Sequence, residues 1–164
     1  MKTTELRTIH PIPPFYSADS KILILGSFPS VKSRESGFFY GHPQNRFWKT
    51  LAFVFGAETP GTIEEKKAFL AAHRVALWDV VCSCRIEGSA DAKIQDVVPN
   101  GISHILREAD IKQIFTNGKT AYSLYCRHIL PQTGVKAVCL PSTSPANAAF
   151  GLDRLCAAWK EILI

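Results

Sequence analysis

Four consecutive apolar residues, Ile22, Leu23, Ile24 and Leu25, cut off by Gly26, Ser27, Phe28 and Pro29, restrict the possible folds of this chain more than any other stretch. So short and continuous an apolar run marks a strand buried on both faces, as in a parallel sheet covered by helices. The loop that follows leaves the strand's carboxyl end, the edge at which open α/β sheets hold their ligands. Further strand-like runs lie at residues 75–81 (VALWDVV), 112–115 and 135–140. Helical patterns separate them. Residues 45–55 carry Phe47, Trp48, Leu51, Ala52, Val54 and Phe55 on a wide apolar face that ends at Gly56. Thr62 and Glu65 form a capping box that opens a helix to about residue 73. Further helices are expected from residue 100 to 108 or 109, from 120 to about 129, and over 152–162. Residues 1–20, with four prolines and histidines between 10 and 14, read as an extended lead-in, and residues 82–95 read as a polar loop. The expected fold is one domain over residues 1–164: a three-layer α/β/α sandwich around a four-stranded parallel sheet with right-handed crossovers.

The 164 residues suffice for a real core without staples. No apolar run reaches membrane-spanning length and the N-terminus lacks the apolar core of a signal peptide, so the expected setting is the cytoplasm, with no membrane partner. Cys82, Cys84, Cys126, Cys139 and Cys156 are an odd number in scattered apolar contexts, which fits reduced thiols in the core. Cys82 and Cys84 stand too close for the usual zinc pair, and no metal or other cofactor is expected. A formal charge of +5 inclines the chain toward a polyanionic partner.

Three of the four strands end in loops rich in Ser, Thr, Asn, Gly and Pro: GSFPS, TNGKT and PSTSPAN. In a parallel sheet they open on one edge, where backbone N–H groups, hydroxyls and helix N-termini suit a phosphate backbone. Phe38, Phe39 and Tyr40 cannot all face one core, and an aromatic wall with His42, Gln44 and Asn45 close behind it suits a planar base turned out of a duplex. The ordinary roles for these residues are a roof over the core and, for Asn45, a helix cap. Asp79 interrupts a buried strand near its end. It serves either as an acceptor for backbone donors or, so near the crevice, as a general base or sugar contact.

GSFPS, then GFFYGHPQNRFW, then PSTSPANA together resemble the uracil-DNA glycosylase superfamily, and within it the hypoxanthine-DNA (deoxyinosine) glycosylase branch. The likeness runs from residue 21 to the final helix. It implies a four-stranded parallel sheet between helices and a substrate of double-stranded DNA carrying a deaminated base. The resemblance does not carry every catalytic group across. Most of the superfamily has an Asp or Asn two residues after the first-motif glycine, where this chain has Phe28; several branches have a histidine where this chain has Ser142. In the branch it resembles, the catalytic role falls to the asparagine of HPQNRFW, here Asn45. The resemblance also implies base contacts from Gly26, Ser27, Phe28, Tyr40 and His42, with Tyr40 as the stacking ring. Ser142, Thr143, Ser144, Pro145, Ala146 and Asn147 become a DNA-facing loop, with Pro145 or Ala146 as a small wedge. Ser30, Lys32 and Lys119 are candidate phosphate contacts, Arg34 another, and Arg46 a brace for the motif.

A carboxamide takes up no proton near neutrality, so Asn45 can only orient a water or donate to the departing base. That is enough for N-glycosidic cleavage through an oxocarbenium-like state, where fixed donors aimed at the leaving base contribute about 10²- to 10³-fold each. No lysine nucleophile stands in the motifs, so the expected enzyme is monofunctional and leaves an abasic site. It is expected to act as a monomer. Uracil or thymine release from mismatches within the same fold, or a catalytically silent binder of nucleic acid or protein, are the competing readings.

Overall fold

The computed structural model describes residues 7–86 and 94–164. Its centre is a four-stranded parallel sheet in the order β3-β2-β6-β7, formed by β2 (Ile22–Gly26), β3 (Val75–Asp79), β6 (Gln113–Asn117) and β7 (Ala137–Leu140). The apolar run predicted to be buried on both faces is so, because β2 lies between two neighbours and sends alternate side chains into two separate cores. Ile22 and Ile24 meet Phe47, Leu51 and Trp159 from α2 (Phe47–Phe55) and α7 (Leu152–Trp159) on one face, joined by Phe69 and Leu70 of α3 (Ile63–Ala72). On the other face, Leu23 and Leu25 pack with Ile102 and Ile105 of α4 (Ile102–Glu108) and with Tyr125 of α5 (Lys119–His128). Each such side chain, moved wholly out of water, stabilises the fold by about 1.5–3 kcal/mol. The α/β/α layering follows from those two faces. Among the described residues, no helix is long and apolar enough to cross a membrane.

The region read as a polar loop is partly strand. β4 (Val81–Arg85) and β5 (Gln95–Pro99) pair antiparallel, with register shifts, and β1 (Thr8–Ile9) joins the far side of β4. Residues 87–93 lie outside the described set. The polar side chains hid this sheet: Cys82 and Ser83 are only half-buried and Gln95 and Asp96 are exposed, so no clean alternation marks the strands. Asn100, read as the start of a helix, instead donates through Nδ2 to the carbonyls of Asp79 (2.8 Å) and Val81 (3.1 Å), clamping the bend between β3 and β4, and α4 begins two residues later. The lead-in also turns out to be tied down: Phe15 bridges Leu77 at the edge of β3, and His10 N–H donates to the Cys82 carbonyl at 2.7 Å.

Two short helices escape the periodicity, α1 (Val31–Ser36) and α6 (Leu130–Thr133). α1 is capped by Ser30, whose hydroxyl oxygen accepts from the N–H of Ser33 at 3.1 Å. Of the five cysteines, which form no disulfide, only Cys84 and Cys156 are buried; Cys139, on the outer strand β7, is exposed, so the core-thiol reading holds for part of the set.

Candidate active site

Gly26 ends β2 with Asp79 as its register partner across the sheet, and the chain can pass there only because Gly26 has no side chain. A Cβ at that position would lie 2.3 Å from Asp79 Oδ1 and 3.0 Å from Tyr40 Oη. Gly118, at φ +95°, opens α5 in a conformation closed to most residues and lets the Ser142 side chain approach to 3.0 Å of where its Cβ would be. These two close approaches draw the strand ends together. Between them lies a cavity of about 460 Å³, within the usual range for small-ligand sites.

Its walls come from the loop after β2 (Gly26 to Ser30), the segment before α2 (Phe39, Tyr40, His42 and Asn45), the end of β6 (Asn117) and residues 142–146 after β7. The carboxyl ends of β2, β3, β6 and β7 thus meet at one hollow. Phe38 and Phe39 are buried and roof the core, while Tyr40 is half-buried and turned toward the cavity. The turn is made at Tyr40 itself, at φ +52°, a left-handed conformation that non-glycine residues adopt at a cost and that gathers at functional sites. One face of the Tyr40 ring stacks on Phe47, with centroids 3.9 Å apart.

Asn45 is held in one orientation. Its Oδ1 accepts from the Phe47 N–H at 2.9 Å and from the Thr143 hydroxyl at 2.9 Å. The backbone N–H can only donate, which fixes the oxygen's position, and both acceptor directions are then occupied. What Asn45 presents to a ligand is its N–H pair. Thr143 is fully buried and is itself oriented by Asn117, whose Nδ2 donates to Thr143 Oγ1 (3.0 Å) and whose Oδ1 accepts from the Thr143 N–H (3.0 Å). A hydroxyl so placed braces Asn45 and cannot reach a phosphate, which corrects the expectation that Thr143 faces DNA. The cap role expected of Asn45 and its place in the cavity wall are both present, since one atom serves the helix and the other remains.

Arg46 encloses the opposite loop. Its guanidinium donates to the carbonyls of Ser144 (2.8 Å), Asn147 (3.2 Å) and Phe150, and Nε to that of Thr143 (3.4 Å). Asn147 Nδ2 is spent on the Ser142 carbonyl at 3.0 Å, so Asn147 stiffens the loop from within. Ser142 Oγ and Ser144 Oγ accept the N–H groups of Ser144 (3.1 Å) and Ala146 (3.2 Å), and each hydroxyl keeps its hydrogen to donate outward. Pro145 and Ala146 stand exposed at the rim. His42 Nδ1 accepts the Gln44 N–H at 3.1 Å, so its proton sits on Nε2. Lys32 and Lys119 are exposed and lie outside the cavity lining, Lys32 beside Glu35 at 3.8 Å. Ser30 is in the lining but already caps α1.

Residues 13–163 match the family model described as the uracil DNA glycosylase superfamily. The chain belongs to that superfamily. It is 34% identical over 144 residues to a protein of Methanosarcina acetivorans named hypoxanthine DNA glycosylase, covering 87% of this chain and 90% of the relative. A protein of the same name from Methanosarcina barkeri is 33% identical over 138 residues, 82% of this chain and 85% of the relative. A solution NMR structure of a candidate uracil DNA glycosylase from M. acetivorans superposes with a TM-score of 0.78 at 31% identity, covering 96% of this chain and all of the other. Superfamily membership thus accounts for the sheet order and for a site at the strand ends.

Sequence reasoning missed Asn117 and His10. Asn117 carried a signal, since it is the polar residue that closes a buried strand just before a glycine turn. His10 carried none: it sits among prolines with no period to place it.

Proposed function

We propose that this member of the superfamily is a monofunctional DNA glycosylase that hydrolyses the bond between deoxyribose and a deaminated base, hypoxanthine first among them, and leaves an abasic site. The observation that carries the reading is the orientation of Asn45, whose oxygen is doubly occupied and whose N–H pair is left for a ligand in the cavity wall. The names of the two Methanosarcina relatives support the choice of base.

A flipped nucleotide enters the cavity base first, with its sugar at the rim. Asn45 donates to an acceptor on the leaving base as negative charge develops there, and His42 Nε2–H is a second donor on the same wall. Because both donors are fixed before substrate arrives, little reorganisation opposes the transition state. Water attacks a sugar that is already oxocarbenium-like, so a weak nucleophile suffices where the superfamily's more usual acid is replaced by Phe28. Ser142 and Ser144 hydroxyls, with Lys32 and Lys119 farther out, contact phosphates. The protein acts as a monomer in the compartment that holds the DNA.

Duplexes containing inosine, uracil, or thymine opposite guanine, incubated with the protein and then cleaved with alkali, test this reading. Strand scission led by inosine is the expected result. Scission led by uracil or thymine moves the activity to another branch, and binding without scission overturns it.

A further inference from the structure

The floor of the cavity holds a buried acid–imidazole pair that no step above uses. Asp79 is the one carboxylate in the cavity lining, among the described residues. Its Oδ2 lies 2.7 Å from His10 Nε2, and the two side chains are 5% and 2% exposed. His10 Nδ1 accepts the Ile12 N–H at 3.1 Å, so the ring proton is on Nε2 and is donated to Asp79. The imidazole is further fixed by Phe28, Phe39 and Trp78, whose rings lie 5.7–6.3 Å from its own. It is delivered to this place by β1, which pairs with β4. Asp79 is therefore maintained as a carboxylate acceptor, with Oδ1 at the Gly26–Tyr40 wall of the hollow.

Depth decides what this acceptor meets. Pro145 and Ala146 are exposed at the rim, Asn45 is half-buried, and Asp79 is nearly sealed at the bottom. A nucleotide that enters from a duplex leaves its sugar and phosphates at the rim and sends the far edge of its base deepest. Deamination alters that edge. The ring nitrogen of adenine or cytosine presents a lone pair, whereas hypoxanthine and uracil present an N–H at the same place. A carboxylate accepts an N–H and repels a lone pair.

We propose that Asp79 reads the ring N–H of a deaminated base and that His10 is the positioning residue that keeps its carboxylate turned to do so. This rests on the glycosylase reading above and gives it a basis for substrate selection. In Asp79→Asn, the side-chain oxygen takes the His10 proton and an NH2 group replaces the acceptor. In His10→Phe, the aromatic cage stays filled but the donor is lost. His10→Gln retains a side-chain N–H.

The test is single-turnover base release from matched duplexes carrying deoxyinosine or deoxynebularine, a purine with no oxygen and a bare ring nitrogen on that edge. The unmodified protein is expected to favour inosine. Asp79→Asn lowers the inosine-to-nebularine ratio by about 10- to 100-fold, the usual weight of a hydrogen bond to a buried charged group. His10→Phe shifts the ratio the same way and His10→Gln restores most of it. Equal loss on both substrates, as expected of a general base or of simple structural damage, overturns the proposal. If circular dichroism shows Asp79→Asn unfolded, the His10→Phe and His10→Gln pair decides by the same ratio. No release by the unmodified protein overturns the glycosylase reading instead.

Discussion

A single carboxamide shows how much one residue's environment decides. In the sequence, Asn45 could orient water, donate to a base or cap a helix. With Phe47 N–H and Thr143 Oγ1 on its oxygen, the donor role is the one left for a ligand. Asn45→Ala is therefore expected to reduce base release by at least about 10²-fold with DNA affinity little changed, measured by single-turnover scission and by binding to an abasic duplex. Thr143→Val, which removes only the hydroxyl beneath Asn45, is expected to lower the rate by about 10-fold and to leave binding alone. A second residue bears on stability. His73 stacks on Phe55 with centroids 4.4 Å apart, and burial pushes its pKa below the ordinary 6.5. The unfolded chain thus binds the proton more tightly than the folded one, and the stability contributed by the neutral ring is lost as pH falls through about 6.5 toward the lower folded value. Thermal melts between pH 7.5 and pH 5 should show a smaller acid loss for His73→Phe than for the unmodified chain.

At the level of elements, the four parallel strands were legible because burial on both faces leaves an unbroken apolar run, and the long helices because an apolar stripe recurs every three to four residues. The antiparallel β1-β4-β5 sheet was not. Its strands are short, partly exposed and rich in Ser, Gln, Asp and Cys, so pairing rather than side-chain pattern defines them. The convergence of three polar loops could be argued from parallel topology alone. Which hydroxyl faces the ligand and which faces a neighbour could not, because Thr143 and Ser144 differ in sequence by a methyl group and in structure by complete burial against partial exposure. Arg46 gives this level its test. Four carbonyls of residues 143–150 converge on its guanidinium, and Leu at that position would leave them without a donor. Arg46→Leu is expected to cost about 2–4 kcal/mol in denaturant unfolding and to admit protease within residues 142–150. Arg46→Lys, with a point charge in place of a planar fork, is expected to recover only part of the loss.

For the molecule as a whole, the charge of +5 is modest, and the cavity rim presents hydroxyls rather than a dense row of lysines. Affinity for duplex DNA should accordingly depend on salt less steeply than in proteins that cover a duplex with cations. About three to four neutralised phosphates correspond to a slope of about −3 to −4 in log K against log salt. Fluorescence anisotropy across 50–300 mM salt measures it, and Lys32→Ala should reduce the slope by about 1 while leaving the rate on bound substrate unchanged.

The pairing of β1 with β4 also has a consequence for the order of assembly. Residues 8 and 9 wait for residues 83 and 84, more than seventy positions along the chain, before they have anything to lie against. The parallel sheet can close without them, since none of its ladders involves that segment. Ring closures of this span form slowly relative to local contacts, so the scaffold matures first and the amino-terminal arm seats last, turning a shaped but undiscriminating vessel into a finished one.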